Sequence, residues 1–249
     1  MNMKANVAKW EHFWRAFRFS ITHQVYLESV AHLISKRIKR CFSGEKKPLV
    51  LDIGCGQSQL DIWLAEKTGL HIVALDIVEE ALYTAKRLIE ENRIKGQVSL
   101  ILASVYQLPF SDSSFDIAVS TGSESAGAYY GATEEVSRVV AEDGHLFIDF
   151  TRMPNLYQPL SSVKRYFQYR EARKKRSKGE ETKYFHYGKL GLKQRFEKEL
   201  GLKIQKIWRM NNAPPFGSRT TRLRFEKTLG RLLSPILART ILVEFIKKK

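Results

Sequence analysis

The residues best suited to chemistry are a carboxylate and two glycines at alternate positions, Asp52, Gly54 and Gly56, in the stretch PLVLDIGCGQSQLDIWLAE, residues 48–66. The apolar run LVLDI (49–53) before glycine predicts a buried parallel strand. Residues 59–68 predict a helix that stops near Gly69. A loop joining a buried strand to a helix N-terminus binds ligands for two reasons. Its free N–H groups point outward, and glycine lets the backbone approach a ligand closely. Spacing excludes two common loops of this kind. A dinucleotide fingerprint, G-x-G-x-x-G, would need its third glycine where the chain has Gln59. A P-loop would need Gly-Lys-Ser/Thr after the glycines, and none follows.

The elements around this loop alternate. HIVALD (71–76) is a second strand and residues 79–92 an amphipathic helix; strands three and four fall at 98–104 and 115–121. A helix over 132–141 and an Asp143–Gly144 turn lead into a fifth strand, 145–150. Alternation of this kind demands a parallel sheet with helices on both faces. Ahead of it, residues 7–41 read as one or two helices. Their apolar positions, Trp10, Phe13, Trp14, Phe17, Val25, Val30, Leu33, Ile34 and Ile38, share one face and pack on the core. Beyond residue 150 the rhythm changes. A basic helix over 161–181 is followed by a helix at 190–201, a strand at 202–210, a helix at 222–233 and a closing strand at 239–248. The two late strands are expected to extend the sheet as an antiparallel edge.

The 249 residues, 43% of them apolar, suit one large folded domain. No run of about 18 apolar residues is present, so no transmembrane helix is expected. The N-terminus lacks a signal-peptide core. Cys41 and Cys55 alone give neither a disulfide framework nor a metal cluster, and a reducing cytoplasm is the expected home. Charge is divided unevenly: residues 1–150 carry a net −3 and residues 151–249 a net +19. One half is near neutral, and the other is suited to an anionic partner.

The loop resembles the first motif of the class I S-adenosylmethionine (SAM)-dependent methyltransferases, hhDhGCGxGxh. Three further stretches resemble the same family in order: ALDIVEEAL ending its strand in Asp76, LPFSDSSFDIAVS (108–120), and EEVSRVVAEDGHLFIDF (134–150). The resemblance covers residues 48–150. It implies a Rossmann-like, doubly wound α/β fold: a seven-stranded sheet, mainly parallel, with an antiparallel C-terminal strand. It implies a single domain, 1–249, made of N-terminal helices (1–47), a SAM-binding core (48–150) and a basic substrate-side region with closing strands (151–249). It also implies SAM as cofactor and S-adenosylhomocysteine as product. Position by position, Asp52, Gly54, Cys55 and Gly56 would lie under the amino-acid end of the cofactor. Asp76 would accept from both ribose hydroxyls, with Ile77 against the adenine. Ser104 stands where the family often has Asp, and would accept from the adenine amine without charge assistance. Val105 would use its backbone N–H on the purine edge. Ser120 and Thr121 would face the cofactor's sulfur and the acceptor. Ser58 falls at the family's third glycine, and it is expected to cap the helix with its hydroxyl.

No general base is dictated by the sequence. Glu124, Tyr129 and Tyr130 follow the fourth strand, Asp149 ends the fifth, and His186 precedes a late helix; each also reads as an ordinary surface or packing residue. Neither cysteine follows the fourth or fifth strand, which argues against a covalent cysteine adduct. STGSE replaces the Pro-Pro-aromatic box of base-amine methyltransferases, and NNAPPF (211–216) reads as a turn. Eight cations between Lys164 and Lys178 interleave with Tyr166, Phe167 and Tyr169. This stretch suits RNA, an anionic membrane surface or an acidic substrate under a lid, and equally a solvated helix. The acceptor expected is a small molecule or lipid. RNA methylation through the basic half, and SAM binding without catalysis, are the alternatives. The expected location is cytoplasmic, with peripheral attachment to a membrane surface as a variant. Oligomeric state and acceptor atom are not legible.

Overall fold

In the computed structural model, residues 10–12, 21–44, 47–122, 131–151, 174, 191–210, 218–228, 232, 238 and 240–248 are described. In chain order the elements are α1 (Ile21–Cys41), β1 (Val50–Ile53), α2 (Gln59–Thr68), β2 (Ile72–Asp76), α3 (Glu79–Glu91), β3 (Val98–Leu102), β4 (Phe115–Ser120), α4 (Ala132–Val139) and β5 (Val140–Thr151). A π-helical stretch, α5 (Lys193–Lys198), then β6 (Leu202–Met210), α6 (Arg219–Lys227) and β7 (Thr240–Lys247) complete them. The sheet has seven strands in the order β3-β2-β1-β4-β5-β7-β6. Strands β1 to β5 run parallel, and β7 is antiparallel to both of its neighbours. The doubly wound sheet with an antiparallel last strand is therefore present as expected.

Period-2 alternation divides the core into two layers. Val50, Ile72, Ala74, Ile117, Val119, Phe147 and Leu242 meet Val30, Ile34 and Ile38 of α1 and Leu60, Ile62 and Leu64 of α2. Leu51, Ile53, Leu75, Ala118, Leu146, Ile148, Val243 and Phe245 meet Val136 and Val139 of α4 and Phe196 of α5. Leu33 of the expected α1 stripe packs partly buried against the first layer. Phe13, Trp14 and Phe17 lie outside the described residues.

Three boundaries differ from the sequence expectation. Strand β5 begins at Val140 instead of 145, because Val140 pairs with Phe115 before a register shift. The Asp143–Gly144 turn becomes part of that irregular strand, with Asp143 at φ 58°. Helix α6 starts at Arg219 instead of 222, where the Ser218 hydroxyl accepts from the Thr221 N–H, and it runs to Lys227; of the remaining expected range, Leu232 is helical and residues 229–231 and 233 lie outside the described residues. The expected helix at 190–201 contains a π-turn and stops before Gly201, which has φ 67°.

A buried clasp joins α1 to the two central late strands. Arg37 holds both oxygens of Glu244, with Nη2 at 2.7 Å from Oε1, and Nδ1 of His145 lies 2.7 Å from the same oxygen. Glu244 is fully buried on β7. Burial opposes its ionisation, but hydrogen bonds from His145 and Arg37 outweigh it and hold the carboxyl below its usual range. The sulfur of Cys41 lies within 4.8 Å of this group. A carboxyl lowered in this way adds stability above its ordinary value, and that stability is lost as pH falls through its folded value. Replacing Arg37 with Met leaves a buried carboxylate without its cation. The expected cost is about 3 kcal/mol in urea unfolding at pH 7, with part regained in the Arg37→Met, Glu244→Gln double variant.

Candidate functional site

The glycine loop lies at the carboxyl end of β1. Gly54 and Gly56 both have positive φ, 75° and 55°, a conformation open to glycine and costly for other residues. The N–H groups of Gly54 and Cys55 donate to the Leu75 carbonyl at 2.8 and 2.9 Å. Oδ2 of Asp76 accepts from the Gly56 N–H, and Oδ1 from the Val78 N–H, each at 2.9 Å. One carboxylate thus braces the loop and the start of α3. The N-cap itself is Val78, so Asp76 is not the helix cap, and its carboxylate keeps further lone pairs. Burial raises its pKa, opposed by hydrogen bonds from Val78, Gly56 and Ile77.

Next to it, the Ala103 N–H donates to the Asp76 carbonyl, which sets Ser104 and Val105 beside the end of β2. The Ser104 hydroxyl accepts weakly from the Tyr106 N–H at 3.3 Å. Ile77, Ser104 and Val105 are all half-buried. The LPFSDSSFD segment is pinned from α4. Arg138 donates to the carbonyls of Leu108 and Phe110 and to Asp112, and Glu135 accepts from the Leu108 N–H. That motif therefore has a bracing role visible in the structure.

On the other side of β1, the buried Ser120 hydroxyl donates to the Ile53 carbonyl at 3.0 Å, fastening β4 to the root of the loop. Thr121 follows it, half-buried. Asp149, 2% exposed, accepts from the Tyr26 hydroxyl at 2.6 Å and from the Gly122 N–H at 2.9 Å through Oδ2. Burial, then Asp149, push the Tyr26 phenol well above its ordinary value. Sequence reasoning missed Tyr26. It lies on the buried stripe of α1, where a phenol gives the same signal as a core residue.

Under the loop the expectation for Ser58 needs correction. Ser58 precedes α2, but it is left-handed (φ 55°, ψ 26°), fully buried, and makes no side-chain cap hydrogen bond. The hydroxyl cannot reach the first-turn N–H groups from that backbone conformation. Asp61, in the first turn of α2, is also fully buried. Its neighbours are Asp52 and Ser58. Burial raises Asp61 to about 6. Burial, then Asp61, raise Asp52 well above the carboxylate range. Burial also raises the Cys55 thiol, assisted by Asp61, Asp76 and Asp52. Two carboxyls so placed cannot both ionise cheaply.

The remaining candidates, Glu124, Tyr129, Tyr130 and His186, lie outside the described residues, as does the basic stretch 161–178 apart from Lys174. The candidates on and after β1, β2, β3 and β4 are thus brought to one edge of the sheet, while Glu124, Tyr129, Tyr130 and His186 are not among the described residues.

Two stability outcomes follow. Ser58→Gly removes left-handed strain and is expected to leave the protein as stable or more stable, by up to about 1 kcal/mol in denaturant unfolding. A carboxyl raised in the fold favours stability at low pH, and that advantage is lost as pH rises through about 6. Asp61→Asn is therefore expected to exceed the wild type at pH 8 by about 1–3 kcal/mol and to match it near pH 4.

Comparison with known proteins agrees with this geometry. Residues 51–148 match the family model described as a methyltransferase domain. A demethylmenaquinone methyltransferase of Listeria welshimeri is 30% identical over 128 residues, 50% of this chain and 54% of that protein. An O-methyltransferase of Aspergillus nomiae is 28% identical over 90 residues, 36% of this chain and 40% of that protein. The chain spans about half, or less, of the length of these curated relatives. Among solved structures, the YcgJ protein of Bacillus subtilis superposes with a TM-score of 0.56 at 18% identity, covering 88% of this chain and 98% of the other. A geranyl diphosphate C-methyltransferase of Streptomyces coelicolor, in complex with S-adenosyl-L-homocysteine, gives 0.55 at 13% identity over 87% and 80%. The last two share the fold. The motifs, the glycine loop and the family match all fall on the same strands, so over residues 51–148 the chain is similar to methyltransferase domains.

Proposed function

We propose that the protein binds SAM and transfers its methyl group to a small-molecule or lipid-like acceptor. The observation that carries the reading is the loop itself. Its two positive-φ glycines are held by Leu75 and Asp76, next to the point where strand order turns from β2 on one side of β1 to β4 on the other. Ligands of open α/β sheets settle in the crevice at such a point. The chain's residues fit the cofactor. Asp76 has lone pairs left for ribose hydroxyls, Ile77 and Val105 offer apolar surface to the purine, and Ser104 offers a polar atom at its edge. Gly54 to Gly56 admit close backbone approach, which supports the amino-acid end lying over the loop.

The cofactor, when bound, supplies a methyl group already activated by its sulfonium. The protein's part is then alignment and exclusion of water, and positioning of this kind is worth roughly 7–11 kcal/mol. Ser120 and Asp149 fix the ends of β4 and β5 beside the loop through Ile53, Gly122 and Tyr26. They give the acceptor side a rigid floor. Glu124, Tyr129 and His186 are the residues proposed to meet the acceptor. The small-molecule preference is supported by the names of the relatives: a quinone methyltransferase, an O-methyltransferase and a geranyl diphosphate methyltransferase. No helix of the described residues is long and apolar enough to cross a membrane. The basic stretch 161–178 is proposed to serve an anionic partner or membrane surface.

Calorimetry with SAM and S-adenosylhomocysteine tests the first half. Saturable binding by the wild type and by Ser58→Gly, and none by Gly56→Val, is expected. Equal affinity of wild type and Gly56→Val would remove the loop from the site. For the second half, methyl-labelled SAM is supplied with a cell extract. Label that passes into organic solvent supports a small or lipid-like acceptor; label destroyed by nuclease would transfer the assignment to RNA. Binding without any label transfer would leave a non-catalytic SAM-binding protein.

A further inference from the structure

The last turn of α1 brings a thiol beside the buried clasp. Cys41 stands one helical turn after Arg37, on the same face of α1. Strand alternation sends His145 and Phe147 of β5 to one side of the sheet, and Leu242 and Glu244 of β7 to that side too. Phe147 and Leu242 belong to the core layer under α1, so His145 and Glu244 face the helix as well. Three side chains of different chemistry, from three elements far apart in the chain, converge there. A sulfur, a ring nitrogen and a carboxylate oxygen lie within 4.8 Å of one another.

The two inner groups are held in place. Arg37 keeps both oxygens of Glu244 through hydrogen bonds. The His145 ring stacks on Phe147, with centroids 6.4 Å apart, and meets Phe42 edge to face at 5.3 Å. Glu244 is fully buried and His145 nearly so, while Cys41 is a free thiol open to solvent. A small solute thus has an entrance at Cys41 and two oriented groups behind it. A carboxylate braced from outside by a hydrogen bond is a usual support for a metal ligand.

Thiolate, imidazole and carboxylate together select an ion of the zinc class. Calcium and magnesium take six or more ligands, mostly oxygen. Zinc takes four, from sulfur, nitrogen and oxygen. We propose that Cys41, His145 and Glu244 form a site for a zinc-class divalent cation, with water as fourth ligand, that locks the end of α1 to β5 and β7. Nδ1 of His145 and Oε1 of Glu244, 2.7 Å apart, share a proton in the metal-free clasp. Two ligands about 2.0 Å from a tetrahedral ion lie about 3.3 Å apart, so the ion replaces that proton after an opening of roughly half an ångström. The ring proton passes to Nε2 and the thiol proton leaves to solvent, which releases one proton per ion from a neutral imidazole. Thiolate and carboxylate balance the two positive charges of the ion. Arg37 keeps its hold on Glu244 and, partly exposed, shares its own charge with water.

This site lies away from the glycine loop. His145 pairs with Ile117, and Ile117 with Val50, which opens β1; the loop follows the other end of that strand. The proposal is therefore independent of the SAM reading. The bound ion would fasten the helix that carries Tyr26.

Titration of the metal-free, reduced full chain with zinc chloride tests this, with cobalt chloride as a spectroscopic probe. The wild type is expected to bind one ion per chain and, with cobalt, to show a thiolate-to-metal charge-transfer band and tetrahedral d–d bands. Zinc at about a hundred times its Kd should raise Tm by about 5 °C. Cys41→Ser changes an exposed position and should fold, lose the charge-transfer band and bind zinc at least about tenfold more weakly. Glu244→Gln should weaken zinc similarly; if it does not fold, Cys41→Ser decides. Absence of zinc binding by the wild type overturns the proposal. Wild-type affinity with an unchanged band in Cys41→Ser overturns it too, and assigns the ion to other ligands. A fall in Tm on zinc binding also overturns it, because a site built into the fold must favour the folded chain. None of these outcomes bears on the SAM reading, whose own test is calorimetry with SAM.

Discussion

The glycine loop is held in shape by the neighbouring strand, and the Asp76 carboxylate is where that support concentrates. One oxygen takes the Gly56 N–H and the other the Val78 N–H. Its own carbonyl takes the N–H of Ala103 at the end of β3. Loop, helix start and third strand are thus fixed relative to one residue at the end of β2. A residue bound this way loses little freedom when a ligand arrives, so its remaining lone pairs are already aimed. Strands β1 and β2, largely buried on both faces, keep this carboxylate in place.

Around that point the sheet distributes its work. The half built from β1 to β4 carries backbone geometry for a ligand, and the half built from β5, β7 and β6 carries ionic ties. The Arg37–Glu244–His145 clasp and the Tyr26–Asp149 hydrogen bond both connect α1 to the late strands. Helix α1 therefore fixes the far half of the sheet to the same layer that supports the loop. Arg138 does the equivalent on the opposite face, where it spans the loop between β3 and β4.

Much of this was legible in the sequence, for identifiable reasons. Strands β1 to β4 are short apolar runs, and α2 lies between turn signals, so their ranges agree with expectation to within about two residues. Glycines 54 and 56 were read as sites of close approach, and both have the positive φ that such a role needs. What escaped was tertiary. Ser58 carries a good capping side chain, but the loop path forces it into a left-handed conformation where that hydroxyl cannot cap. Asp61 looks like a favourable first-turn acid, and its burial against Asp52 depends on how β1 and α2 face each other. Tyr26 and Arg37 reach partners more than 100 residues away, which no local pattern encodes. The early start of β5 came from pairing with Phe115.

The position of β7 has a consequence for how the chain reaches this state. It is later in the chain than β6, yet it lies inside the sheet, between β5 and β6. Among the described strands, β6 pairs with β7 alone, and β5 gains its second neighbour only when β7 arrives. The ordering of the late half is therefore one event in time. Sheet growth stops at β5 during vectorial synthesis, and β6 and β7 must dock together. During that interval the cationic side chains of β6, Lys203, Lys206 and Arg209, repel stray strands and protect an edge that would otherwise invite them.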